Sequence, residues 1–159
     1  MNVDAVDLRI LEQLQRDAAL SNQALAELVQ VSPATCLRRV RRLTEAGVIE
    51  RTLALLSPEK LGAGLQAVVE VTLDRQGAEW LDAFEQRVIA DDAVQQCWRV
   101  SPGPDFVLVV QVPDMAAYHA LAQRLLTQDA NVRNVKAFFA VKRAKFAPAI
   151  ALPRPPAGG

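Results

Sequence analysis

Near residue 57 the spacing of apolar residues along this chain changes period. Before that point they recur every three or four positions, as on the buried face of a helix. After it, runs of β-branched residues are separated by helical stretches. With 159 residues there is room for a small domain on each side of the change. The expectation is an α+β chain, helical first and mixed afterwards.

Asp4 can cap a first helix whose inward positions are Val6, Ile10, Leu11 and Leu14, with Asp7 a first-turn acid suited to the helix dipole. Ser21 can cap a short second helix with Leu25, Leu28 and Val29 as its buried stripe. Ser32 followed by Pro33 is a strong start signal for a third helix, because proline at the first helical position loses no hydrogen bond. This helix should run to about Ala46, with Gly47 as its stop. "VIERTLALL" then reads as a short hairpin or extended arm.

Residues 57–64 form a turn-rich connector. Beyond it come a strand at 65–73, a helix at 78–90 with Trp80 or Leu81, Phe84 and Val88 inward, and strands at 94–100 and 105–112 joined by "SPGP". A helix at 115–126 capped by Asp114 and a last strand at 132–142 complete the order βαββαβ. That order defines the ferredoxin-like split arrangement. The expected domains are residues 1–56, 65–146 and a tail, 147–159, poorly ordered from about Pro153.

Half the residues are hydrophobic and the formal net charge is zero, so charge totals alone do not suggest a polyanionic partner. Cys36 and Cys97 are far apart with no CxxC pattern, which fits two free thiols in a reducing cytoplasm better than a disulfide or a zinc site. "MNVDAVDLRI" is not a signal peptide, and no apolar run is long enough to span a membrane.

The charge is concentrated, however, in "CLRRVRRL". Between residues 36 and 51 five arginines face two glutamates, a local net charge of +3. With Val40 at the centre of the inward face, Cys36, Leu37, Leu43 and Thr44 fall beside it. Thr35, Arg38, Arg42 and Glu45 then fall opposite, and Arg39 and Arg41 flank them. A solvated helix face is the plainer explanation. Arginine's planar fork suits phosphate and guanine edges, though, and only "QVS" separates this helix from the second. That spacing is the layout of a helix-turn-helix whose second helix enters the major groove of double-stranded DNA. The turn lacks the glycine often found there.

The stretches "VDAVDLRILEQLQRDAALSNQALAELVQVSPATCLRRVRRLTEAGVIE", "LSPEKLGAGLQAVVEVTL", "VPDMAAYHALAQRLL" and "VRNVKAFFAVKRAK" resemble the leucine-responsive regulatory protein/AsnC family of transcription regulators. The resemblance covers nearly the whole chain except the last dozen residues. It implies an N-terminal winged helix-turn-helix joined to a ferredoxin-like effector and oligomerisation domain. It also implies homodimers through the C-terminal sheet, often assembled into octamers, with an amino acid or related metabolite as effector. On it, Ser32 and Pro33 start the recognition helix. Thr35, Arg38, Arg39 and Arg42 read bases and phosphates, and Arg41 and Arg51 touch the backbone.

One loop departs from the family pattern. Where relatives read like "GDYDYLL", this chain has "SPGPDFVL". Asp105 and Phe106 keep the acid and the aromatic, whereas Pro102 and Pro104 remove two backbone donors and stiffen the turn. Ala137 stands where a threonine is common. The expected effector site is therefore Ser101, Pro102, Gly103, Pro104, Asp105 and Ala137, altered in specificity or vestigial; a plain tight hairpin turn explains "SPGP" about as well.

His119 is the only histidine and is expected to be structural rather than catalytic. Trp80, Phe84, Trp98, Phe138 and Phe139 read as packing residues, with Phe138 and Phe139 on opposite faces of their strand. Cys36 reads as a buried thiol. The rival is an enzyme: some sirohaem decarboxylases resemble the same two-domain family, but they need histidines this chain does not supply. A stand-alone metabolite-binding module is a third possibility. No nucleophile triad, metal cluster or phosphate-cradling glycine loop is apparent, so no catalytic residue, metal or cofactor is expected.

Overall fold

The computed structural model describes residues 2–62 and 64–153. The chain divides into two compact units. One runs from the N-terminus to Leu55 and includes the chain from Lys145 onward; the other is Leu56–Ala144.

The first unit holds α1 (Ala5–Arg16), α2 (Asn22–Val29) and α3 (Pro33–Glu45). Each begins where a side chain accepts from an orphan amide: Asp4 from Asp7, Ser21 from Ala24 and Ser32 from Thr35. Asp4 and Asp7 complete a reciprocal capping box. Ile10, Leu11, Leu25, Ala26, Val29, Cys36 and Leu43 form the core. Leu28 was expected among them but is 55% exposed, and Ala26 is buried instead. An eight-residue helix buries a narrow stripe, and Leu28 lies about 100° from the middle of the Leu25–Ala26–Val29 face.

Gly47 ends α3 at φ 73°. Beyond it, residues 51–57 form neither strand nor hairpin among the described residues, so that half of the hairpin-or-arm expectation fails. The segment stays outside the one sheet formed among the described residues. Its Leu53, Leu55 and Leu56 are all well exposed. The described end of the tail lies along α1. There the Gln15 carboxamide donates to the Ile150 carbonyl at 3.0 Å and accepts from its amide at 2.8 Å. The expected disorder concerns residues 154–159, outside the described residues.

The second unit contains β1 (Leu65–Leu73), α4 (Ala78–Ile89), β2 (Val94–Arg99), β3 (Phe106–Val112), α5 (Met115–Ala122) and β4 (Val132–Phe139). The antiparallel sheet has the order β2-β3-β1-β4, as the βαββαβ pattern requires. Alternation along β1 and β3 buries Ala67, Val69, Val71, Leu73, Phe106, Leu108, Val110 and Val112 against the helices. Leu81, not Trp80, is the α4 residue that packs inward with Phe84 and Val88. The helix expected at 115–126 breaks into α5 and a π-helical turn, Gln123–Thr127. The wider turn brings the adjacent Leu125 and Leu126 both into the core.

Candidate nucleic-acid interface

The third helix owes its position to contacts local to the helix-turn-helix. Ser32 accepts from the Thr35 amide at 3.2 Å and donates to the Thr35 hydroxyl at 3.0 Å. Asn22, the first residue of α2, donates to the Pro33 carbonyl at 2.8 Å and ties the two helices together at their starts. In the turn, Gln30 takes the left-handed conformation (φ 59°, ψ 50°) usually supplied by glycine. Such a conformation costs a non-glycine residue roughly 1–2 kcal/mol, which the helix packing must offset.

Cys36 and Leu43 are fully buried, Val40 is half-buried, and Leu37 and Thr44 are exposed. The middle of the buried face therefore lies about 45° from Val40, toward Cys36 and Leu43. That rotation sorts the arginines. Arg38 and Arg41 end up about 150° from the buried face, whereas Arg39 lies about 55° from it. The fan of four outward guanidinium groups expected from the sequence becomes a free pair and a held pair.

The held pair meets α1. Arg39 Nη1 donates to Asp4 Oδ2 at 2.6 Å and to Asp7 Oδ1 at 2.9 Å. Arg42 Nη2 donates to Asp7 Oδ2 at 2.5 Å. Asp7 has no solvent exposure, and the Asp4 amide is a third donor to its carboxylate. The Asp7 amide and then Arg39 pull the Asp4 carboxyl down to about 2. Asp4 and then Asp7 hold the Arg39 guanidinium above its ordinary value. Arg39 is only 22% exposed, and its Nε is buried without a hydrogen-bond partner among the described residues.

Magnitudes decide what this network permits. Removing one partner of a buried ion pair costs about 3–5 kcal/mol. A bidentate arginine–guanine contact gains only about 1–3 kcal/mol of discrimination. Arg39 is thus poorly placed to leave Asp7 for a base. Arg42, 45% exposed and using one nitrogen on Asp7, keeps donors for an outside partner. Arg38, Arg41 and Arg51 are exposed and make no ion pair or side-chain hydrogen bond among the described residues. Counting Asp4 and Asp7 with the 36–51 stretch lowers its net charge from +3 to +1. Asp7 was legible only as a first-turn acid; its buried role depends on residues 32 and 35 positions away.

In the second unit, Ser101, Pro102 and Gly103 are exposed, and Pro104 and Asp105 are half-buried. The Asp105 carboxylate accepts from the Leu73 amide at 2.7 Å and from Gln76 at 3.2 Å, so it closes the end of β1. Ala137 pairs with Val69 on β4 and packs with the helix-side core. The opposite face of the sheet carries Val68, Trp98 and Phe138, exposed by 39%, 58% and 47%. Phe139 points the other way, its ring 4.8 Å from that of Tyr118. His119 is exposed. Burial pushes the Cys36 and Cys97 thiols up, which disfavours the reactive thiolate. Among the described residues no three His, Cys, Asp or Glu side chains gather as a metal site, and no helix is long and apolar enough to cross a membrane.

The winged helix-turn-helix DNA-binding model matches residues 3–50, and the Lrp/AsnC ligand binding domain matches residues 66–150. The leucine-responsive regulatory protein of Escherichia coli K12 is 36% identical over 144 residues, 91% of this chain and 88% of that protein. The crystal structure of an AsnC family transcriptional regulator from Agrobacterium tumefaciens superposes with a TM-score of 0.86 at 34% identity, covering 93% of this chain and 96% of that one. A transcriptional regulator from Neisseria meningitidis, crystallised as a complex with L-Met, gives a TM-score of 0.86 at 31% identity, covering 94% and 97%. These relatives favour the regulator over the tetrapyrrole enzyme. The chain belongs to the Lrp/AsnC family of DNA-binding transcription regulators.

Proposed function

We propose that this protein reads double-stranded DNA with α3 in the major groove. Arg38 and Arg41 reach outward to bases and phosphates, Thr35 and Arg42 stand at the margins, and Ser32 and Pro33 set where the helix begins. Arg51 contacts the backbone beyond it. The single observation that carries this reading is the Cys36–Leu43 keel, which turns Arg38 and Arg41 away from the core with no internal partner among the described residues. Two such helices about 34–36 Å apart in a two-fold dimer would give affinity that one cannot.

The exposed Val68–Trp98–Phe138 face supports dimerisation through the C-terminal sheet, as the family resemblance implies, with octamers as the higher assembly. The protein acts in the cytoplasm. Its effector is an amino acid or related metabolite, a class supported by the ligand-binding domain match and by the L-Met complex of the meningococcal relative. The site at Ser101, Pro102, Gly103, Pro104, Asp105 and Ala137 is altered. Two prolines donate no amide, Asp105 is engaged by Leu73, and Ala137 offers no hydroxyl. Selection of bound genomic fragments by the purified protein, with and without each amino acid, tests both halves. Enrichment of discrete sites that shift with one amino acid is expected. Uniform recovery of fragments would refute sequence-specific reading.

A further inference from the structure

We infer that Asp7 is a specificity-determining residue of the DNA interface, although it never touches DNA. This rests on the reading of α3 as the recognition helix. The buried Asp7 carboxylate takes one nitrogen from Arg39 and one from Arg42, at 2.9 and 2.5 Å, and Asp4 takes Arg39 a second time. The network does two things. It withholds the Arg39 charge from phosphate, and it fixes one edge of the Arg42 guanidinium while its Nε and Nη1 stay free of protein partners among the described residues.

An arginine held at one edge presents its remaining donors in a set direction, which is what discrimination between base edges needs. A freely rotating arginine serves any phosphate equally well, and phosphate contacts carry no sequence information. By dividing four arginines into braced and free pairs, Asp7 holds down the non-specific part of binding that a fan of four loose charges would supply. Asp7→Asn keeps the shape and removes the charge, so it should loosen Arg42 and leave Arg39 with only the exposed Asp4, a surface pair that phosphate can displace.

The test is equilibrium binding of the full-length protein to a selected operator duplex and to a shuffled duplex of equal length across a salt series. Circular dichroism is recorded at each salt concentration. Asp7→Asn is expected to steepen the logarithmic salt dependence on shuffled DNA by about 0.9 for each phosphate newly neutralised. The ratio of operator to shuffled affinity should fall, and Asp7→Glu should recover part of it. Arg39→Gln, whose fold is checked by the same circular dichroism record because it too removes a partner of buried Asp7, is expected to leave the wild-type slope unchanged. An unchanged slope and ratio in Asp7→Asn, or a slope shallower by about 0.9 or more in Arg39→Gln, would overturn the inference while leaving the DNA-binding reading intact. Wild-type protein that retains neither duplex would overturn both.

Discussion

Arg42 donates to Asp7 at 2.5 Å across 35 residues of sequence, joining the recognition helix to a carboxylate of α1 that has no contact with solvent. Together with Arg39 and Asp4 this pair is the polar hinge-pin of the N-terminal unit. Asp7→Ala removes one of Arg39's two carboxylate partners, the carboxylate that Arg42 holds and the acceptor of the Asp4 amide. It should destabilise the unit by about 3–5 kcal/mol. Urea titration followed by helical circular dichroism measures this, and a loss below about 1 kcal/mol, the scale of a surface pair, would show the network to be ornamental.

The same network sets an acid limit. Asp4 is depressed from an ordinary 3.8 to about 2, first by the Asp7 amide and then by Arg39. A carboxylate depressed in the folded state contributes stability that is complete above its unfolded value and is lost as pH falls through its folded value. The loss should therefore fall between about pH 4 and pH 2. Thermal unfolding across that window should be flatter with pH in Asp4→Asn than in wild type, while the two run parallel above pH 5. Because Asp4 is exposed, solvent screens much of the effect.

In the second unit, the Asp105 carboxylate satisfies the amide of the buried Leu73 at 2.7 Å. Asp105→Ala leaves that donor unpaired and should cost about 1–3 kcal/mol, whether or not an effector is present. Chemical denaturation of the protein with and without each amino acid separates this structural role from ligand contact.

The open sheet face gives a prediction about assembly. Trp98→Glu or Phe138→Glu should shift the protein toward monomer in sedimentation velocity, because each buries a charge if the faces of two copies meet. Unchanged sedimentation in both variants would place the subunit contact elsewhere.

How much of this the amino-acid sequence reveals depends on how far apart the determining residues lie. Asp4, Ser21, Ser32 and Asp114 could all be read as caps because each binds an amide three residues away. The βαββαβ order was equally legible, since strand alternation and helical spacing are local patterns. The inward face of α3 was legible only approximately. A wheel centred on Val40 gives every apolar residue equal weight, whereas the buried face turns toward Cys36 and Leu43, and Arg39 and Arg42 then meet Asp7 on another helix. Leu28 misled for a similar reason: eight residues have room for one narrow stripe, and small Ala26 fits it. Nothing in "AYHALAQRLL" signals the π-helical turn, which comes from fitting Leu125 and Leu126 into a core already shaped by the sheet.

The most direct measurement is operator affinity of the Arg38→Ala/Arg41→Ala double variant against wild type across a salt series. The two arginines lie outside every internal ion pair among the described residues, so the variant should fold as wild type does. Its affinity should fall by more than tenfold, since each lost base contact is worth about 1–3 kcal/mol, with a shallower salt slope wherever a phosphate contact is lost. A variant that binds the operator with wild-type affinity and slope would contradict the account at its root.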